Sequence, residues 1–191
     1  MITKNKFKEA GRGSDIDHNV QVEDDNPEWG CFGCEKSCDL CKNFLMESKT
    51  FSTPNTTQTF KIKSRIDCNS KNVIYLIFDK KCPQVFYIGY TEDTMKVRWR
   101  NHKSHIKKCI KSCEIATHFT ANMNSVHKLD KSSQPVYTSQ LKEHISVLMI
   151  ECVEPVEGVI MTDTMRKREN FWQAELKSAM MFGGINKRSN A

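Results

Sequence analysis

Residues Asn72–Tyr90 read NVIYLIFDKKCPQVFYIGY, and this stretch decides the fold. Asn72–Phe78 is a run of β-branched, aromatic and aliphatic residues, the composition of a strand buried on both faces. Val85–Tyr90 (VFYIGY) is a second such run. The six residues between them, DKKCPQ, are turn-rich, so the two runs read as a hairpin. Side chains alternate across a strand. Val73, Tyr75 and Ile77 therefore share one face, Tyr87 shares a face with Gly89, and the hairpin can bring the two phenols side by side.

Outward from the hairpin, Met95 to Ile110 reads as a helix whose apolar stripe is Met95, Trp99, His102, Ile106 and Ile110. Ser125–Ser139 reads as polar loop. Ile145–Val153 (ISVLMIECV) is a third core strand. Thr162 to Met180 reads as a long helix, preceded by Pro155 and Gly158 and stopped by Gly183–Gly184. Upstream, Phe60 and Ile62 alternate with polar residues as a short strand would. The order strand, strand, helix, strand, helix predicts an α+β domain over 67–191, a mainly antiparallel three-stranded sheet flanked by helices. Residues 1–29 are polar and carry Gly11, Gly13 and an acidic patch, which reads as a disordered lead-in. Residues 30–66 form a separate Cys-rich stretch and linker.

The 191 residues carry 29 Lys and Arg against 23 Asp and Glu, a formal charge of +6. The excess is concentrated. Lys96, Arg98, Arg100, Lys103, Lys107, Lys108 and Lys111 fall between Met95 and Cys113 with no acidic residue among them. Such density on one element suits either a solvated face or a phosphate-binding face. No apolar run approaches the ~18 residues of a membrane span, so no membrane partner is expected, and the N-terminus lacks the apolar core of a secretory signal.

With no export route visible, nine cysteines favour metal ligation over disulfides. Cys31, Cys34, Cys38 and Cys41 follow C-x2-C-x3-C-x2-C, a spacing of paired thiols suited to Zn2+. The segment is short for a complete tetrahedral site, so three of these with Cys68 is the alternative ligand set. Cys109, Cys113 and Cys152 read as buried or free thiols.

Two polar features sit on apolar stripes. Arg98 and His102 are four residues apart and share a helix face. Glu169 shares a stripe with Met165, Trp172, Leu176 and Met180. A carboxylate there is costly to desolvate unless it is paired, for instance with Arg98 or Arg166, or bound to a metal ion.

Val73-Ile74-Tyr75, then eleven residues, then Tyr87-Ile88-Gly89, resembles the paired signature of GIY-YIG nucleases, with Val73 where the first glycine would stand. Thr91, Met95, Arg98 and His102 continue that family's spacing. Arg168-Glu169-Asn170-Phe171-Trp172 resembles its glutamate helix, and Gly184-Ile185-Asn186 its closing turn. Cys68-Asn69-Ser70-Lys71-Asn72, the upstream cysteines and His118-Phe119 look most like the C-terminal endonuclease of Penelope-like retroelements.

The resemblance implies a metal-dependent endonuclease that hydrolyses DNA phosphodiester bonds, nicking or cleaving a target for retroelement integration. It implies Tyr75, Tyr87, Arg98, His102 and Glu169 as catalytic residues, with Glu169 holding Mg2+ or Mn2+. Tyr75, as phenolate or through a partner and activated by nearby cations such as Arg98, would help deprotonate water, His102 would assist or replace it, and Tyr87 would position phosphate or water. Arg98 would stabilise phosphoryl oxygens. Lys96, Arg100, Lys103, Lys107 and Lys108 would give the nucleic-acid backbone a place beside the tyrosines. A second Zn2+ site would draw on Asp79, Cys82, His118 and His127, with Asp79 where a cysteine is expected. A reverse transcriptase module in a parent polyprotein and a nuclear location follow from the same resemblance. The competing readings are a nucleic-acid-binding module that no longer cuts, and a zinc-dependent interaction protein.

Overall fold

The computed structural model describes residues 26, 28–82, 84–121, 140–179 and 184–187. The lead-in through residue 25, the 125–139 loop, His127, Met180 and Gly183 lie outside them. The elements, in chain order, are β1 (Gly30–Cys31), α1 (Asp39–Asn43), β2 (Thr50–Phe51), β3 (Phe60–Lys61), β4 (Arg65–Ile66), β5 (Val73–Asp79) and β6 (Phe86–Thr91). Then come α2 (Met95–Lys107), α3 (Glu114–Ala121), β7 (Ile145–Cys152) and α4 (Met161–Glu175). Among the described residues no helix is long and apolar enough to cross a membrane.

The main sheet has the order β6-β5-β7, antiparallel throughout. The central strand β5 is the NVIYLIF run, and Val73 through Ile77 are fully buried. A strand paired on both sides and covered on both faces needs continuous apolar sequence, which is the pattern seen. Tyr75 pairs across to Gly89 on one side and Met149 on the other. The register slips between Ile74 and Tyr75, because Ile74 faces Glu151 while Tyr75 faces Met149. Ile150 is thus the extra residue of a bulge, a feature that bends a strand and re-aims its side chains.

Both sheet edges are covered. On the β7 edge, Phe44 accepts from Val147 N–H at 2.8 Å and Met46 donates to the Val147 carbonyl at 2.8 Å. Residues after α1 therefore extend the sheet, and the Cys-rich stretch packs on it through Phe44, whose ring lies 4.7 Å from that of Trp99 on α2. On the β6 edge, buried Asn186 uses its amide like a strand. Its Oδ1 accepts from Ile88 N–H at 2.8 Å, and its Nδ2 donates to the Ile88 carbonyl at 2.7 Å. Unpaired edges invite association, and these two segments satisfy the edge groups internally.

Both long helices end earlier than their apolar stripes suggest. At the end of α2, Cys109 adopts φ 54°, with Cys109 N–H bonded to the Ile106 carbonyl and Ile110 N–H to that of His105. At the end of α4, Lys177 adopts φ 52°, with Lys177 N–H on Ala174 and Ser178 N–H on Gln173. This pairing is a left-handed helix stop. Ile110 belongs to that stop rather than to the helix, which is why it continues the stripe. Gly183–Gly184 does not stop α4; Gly184 instead lets the backbone cross Ser178, since a Cβ there would meet the Ser178 carbonyl oxygen at 1.8 Å. The elements β1, β2, β4, α1 and α3 are additions to the sequence expectation.

Replacing Asn186 by alanine leaves the Ile88 N–H and carbonyl buried without partners, at about 1–3 kcal/mol for each unmet group. Asn186→Ala is expected to lose about 3 kcal/mol. An unchanged urea-unfolding midpoint would refute the edge role assigned to this amide.

Candidate active site and thiol cluster

Tyr75, on the bulged strand, is buried with 0% exposure. Its oxygen accepts a hydrogen bond from Arg98 Nε–H at 2.8 Å and lies 2.7 Å from His102 Nε2. Where the phenol is the donor in this contact, its proton points to Nε2 and the neutral imidazole carries its own on Nδ1. That Nδ1 is buried and has no hydrogen-bond partner among the described residues. The Tyr75 and Tyr87 rings sit 6.4 Å apart and the His102 ring 6.1 Å from Tyr87. The side-by-side phenols expected from the hairpin are present. The room for them comes from Gly89, where a Cβ would fall 2.6 Å from Tyr75 Oη and 2.6 Å from Tyr87 Cε1.

Burial dominates the electrostatics. It pushes Tyr75 up to about 12, against the pull of Arg98 in the other direction. Burial also raises Tyr87 well above the usual phenol range, with Tyr75 and Glu169 adding to the effect. For His102, burial first and the Arg98 charge second hold the ring well below its ordinary value. Burial thus outweighs the pull of Arg98, which favours the route through a partner over the phenolate route: Tyr75 is a buried phenol bonded to a neutral imidazole. Burial opposes the charge on Arg98, but its hydrogen bond to the Tyr75 oxygen favours it, and the guanidinium stays protonated.

Glu169 projects from α4 into a cleft of about 530 Å³, whose walls include Tyr87, Tyr90, Thr91, Arg98 and Glu169. Burial raises its carboxyl to about 7, opposed by the Arg98 charge and reinforced by Glu114. Among the described residues no hydrogen bond or ion pair closes on Glu169; Arg166 instead lies 3.7 Å from Asp163. The five expected residues thus meet at one place, with Tyr87, Arg98 and Glu169 on the wall and Tyr75 and His102 behind Arg98. Sequence reasoning missed Glu151. It accepts from Arg168 Nε at 2.9 Å and from Trp172 Nε1 at 2.6 Å, which locks α4 against β7 on either side of Glu169. A buried indole N–H needs an acceptor, and that was the available signal.

The family pattern of the GIY-YIG catalytic domain matches residues 71–181, more than half of the chain. The chain belongs to the GIY-YIG family. No curated protein and no solved structure matches it. GIY-YIG domains are endonuclease domains, and the matched span contains all five residues of the cleft.

Outside that span, the Sγ atoms of Cys34, Cys38, Cys41 and Cys68 all lie within 4.8 Å of one another. Cys38 Sγ is 3.6 Å from that of Cys41 and 3.5 Å from that of Cys68. A tetrahedron with ~2.3 Å metal–sulfur bonds has edges of ~3.8 Å, so the spacing fits one soft divalent ion. The backbone N–H of Cys38 brings Cys34 down to about 7, whereas burial pushes Cys41 up to about 12 and also raises Cys68. The ligand set drawn from Cys31–Cys41 alone is corrected. Cys31 lies in β1 as part of the apolar core, where burial pushes its thiol up to about 12, and Cys68 takes its place. Of the other thiols, Cys109 is exposed and Cys113 and Cys152 are half-buried.

Asp79 meets both His118 and Cys82, but among the described residues the three do not gather into a group that could hold a metal ion. Buried Asp79 accepts through Oδ2 from His118 Nε2 at 2.8 Å and through Oδ1 from the N–H groups of Lys81 and Cys82. His127 lies outside the described residues.

The basic run departs from expectation. Lys96, Arg100 and Lys103 line a groove with Asp39 and Leu40, on the edge of α2 that faces the Cys-rich stretch. Lys103 pairs with Asp39. Arg98 alone of the basic run lines the cleft. The helical period explains it, because Lys96, Arg100, Lys103 and Lys107 recur at i, i+4, i+7 and i+11 while Arg98 is out of phase with them.

Two measurements check these placements. Gly89→Ala is expected to fold yet lose the ring arrangement, seen as altered tyrosine ring signals in NMR spectra, and unaltered signals would refute the steric role. Cobalt titration is expected to give one thiolate-to-metal charge-transfer band per chain. Cys31→Ser should keep it and Cys68→Ser should lose it; the reverse pattern restores the Cys31 set.

Proposed function

We propose that this chain is a metal-dependent endonuclease that hydrolyses DNA phosphodiester bonds. The observation that carries the reading is Glu169, an unpaired and half-buried carboxylate on the wall of a polar cleft beside Arg98. A single carboxylate with room for waters suits Mg2+ or Mn2+, and Glu169 is the residue that would hold the ion. Bound there, the ion supplies charge stabilisation at the leaving oxygen.

The remaining chemistry belongs to the chain. Arg98 spends its Nε–H on Tyr75, which leaves the rest of its fork for phosphate oxygens and fixes its direction. Tyr75 and neutral His102 form a proton path. Tyr75 is enclosed behind Arg98, so the attacking water must enter beside Arg98 to reach it; the oxygen of Tyr75 then takes the water's proton as its own passes to His102 Nε2, and no free phenolate is required. Tyr87, on the cleft wall, positions the water or a phosphate oxygen.

We extend the reading to the accessories. The four thiols of Cys34, Cys38, Cys41 and Cys68 suit Zn2+ in a structural site. A second Zn2+ site would draw on Asp79, Cys82, His118 and His127; what speaks for it is the contact of Asp79 with His118 and with Cys82. The likeness of these segments to Penelope-like retroelements supports integration of such an element, a reverse transcriptase partner and work in the nucleus.

The test is nicking of supercoiled plasmid. Cutting is expected in Mg2+, to stop with chelator and to return when Mg2+ is restored. Glu169→Ala is expected to lose on the order of 10²-fold or more in rate, the scale of removing one electrostatic contributor. Wild-type cutting by Glu169→Ala rules the assignment out, and binding without any cutting favours the inactive module.

A further inference from the structure

Helix α2 presents three distinct faces. Met95, Trp99, His102 and Ile106 are buried against the sheet. On one side of that buried face is Arg98, which opens on the cleft. On the other side are Lys96 and Arg100, both exposed, beside the groove shared with the Cys-rich stretch. That groove continues into a larger one of about 510 Å³, where Lys96 is joined by Arg65 and Lys36. The outward face between the two basic edges carries exposed Asn101 with half-buried Val97 and Ser104. No acidic residue occurs in the helix.

Nearby carboxylates are engaged. Asp39 is taken by Lys103, Asp67 Oδ1 by the N–H groups of Asn69 and Ser70, and Glu92 by the Thr162 hydroxyl. Two exposed acids remain: Glu35 in the larger groove, set against Lys36, Arg65 and Lys96, and Asp93 on the wall of the cleft beside Arg98.

We propose that α2 seats in the major groove of duplex DNA. The Arg98 edge meets the strand to be cut, and Lys36, Arg65, Lys96 and Arg100 meet phosphates of the opposite strand. The inference rests on the DNA-nuclease reading and deepens it. A helix with side chains is ~10–12 Å across and the major groove ~12 Å wide, so a seated helix touches both backbones with its edges. A helix basic on both edges and short-chained between them has the form that this seat demands. Its outward residues suit base edges: Asn101 can pair with adenine, Val97 can contact a thymine methyl, and Ser104 can serve as donor or acceptor. The Cys-rich stretch becomes the wall that carries Arg65 and Lys36 to the far strand.

Binding is measured by fluorescence anisotropy on a mixed-sequence 30-base-pair duplex, without divalent cation, as a function of salt. Lys36→Gln/Arg65→Gln/Lys96→Gln/Arg100→Gln is expected to make the slope of log affinity against log salt shallower by about 3.6, at ~0.9 per phosphate contact. A duplex whose cytosines carry a bulky glucosyloxymethyl group at C5, which fills the major groove, is expected to bind at least about tenfold more weakly. Netropsin, a minor-groove ligand, should leave affinity unchanged. An unaltered salt slope, or retained binding to the glucosylated duplex with loss to netropsin, overturns the proposal. Because nothing here depends on cutting, a protein that binds as expected yet nicks no plasmid removes the nuclease reading and keeps this one.

Discussion

The first amides of α2 are capped by the chain that enters β5. Met95 N–H bonds to the Ser70 carbonyl at 3.3 Å and Lys96 N–H to the Cys68 carbonyl at 2.9 Å. The preceding Thr94 makes no side-chain cap of its own. The opening amides of a helix have no partner within it, so this loop decides where α2 begins and how it is rotated. Three structures converge on it. Cys68 contributes its sulfur to the thiol cluster, Asn72 turns with φ 52° into the strand that bears Tyr75, and α2 carries Arg98 and His102. A rotation of one residue, ~100°, would carry Arg98 away from Tyr75, into the buried position of Trp99 or onto the outward face of Val97. The cluster, the tyrosine and the arginine are thus fixed by one short segment, and closing the cluster tightens the frame of the cleft.

Around that frame the burial of polar groups sets the chemistry. Arg98 and burial compete over Tyr75, and burial wins. The same two influences act together on His102, lowering it. The result is a phenol aimed at a neutral base, a pair that can pass a proton without either member being ionised at rest. Enclosure keeps Tyr75 a phenol, so Arg98 gives it a single N–H and keeps its outer N–H groups for the substrate.

Legibility in the sequence followed from how local each signal was. The sheet was readable because β5 is paired on both sides and its seven residues say so by composition alone. The five cleft residues were readable because they stand in the motifs that resemble the GIY-YIG family; strand alternation and helical spacing alone pair Tyr75 with Tyr87 and Arg98 with His102, and the cleft adds their convergence with Glu169. What failed depended on contacts between distant segments. Cys31 could not be separated from the other thiols by spacing, because its exclusion comes from β1 pairing in parallel with β4. Glu151 carried no mark of its own, since its role depends on Arg168 and Trp172 reaching it from α4. The helix ends were misjudged because non-glycine residues, Cys109 and Lys177, take left-handed conformations. The basic run was read as one surface, although the helical period divides it between two.

These polar burials also have a thermodynamic sign. Glu169 titrates higher in the folded protein than its ordinary value, reaching about 7. Between those two values the native state binds more protons than the unfolded chain, so this group's contribution to stability falls as pH rises through that interval. His102 acts in the same region with the opposite preference. Its folded value is depressed, the unfolded chain takes up the proton first, and stability is lost as pH falls through its ordinary value. The two demands meet near neutral pH, where a partly protonated Glu169 faces a wholly neutral His102. An unpartnered Nδ1 adds a further cost. A core built on Trp99, Phe44 and a fully buried central strand sustains these costs, which explains why the strained chemistry stands on the most thoroughly packed part of the sheet. The stability withheld at the cleft is what keeps Glu169 unpaired and available to a cation, since any side chain that relieved its burial by pairing with it would close the site.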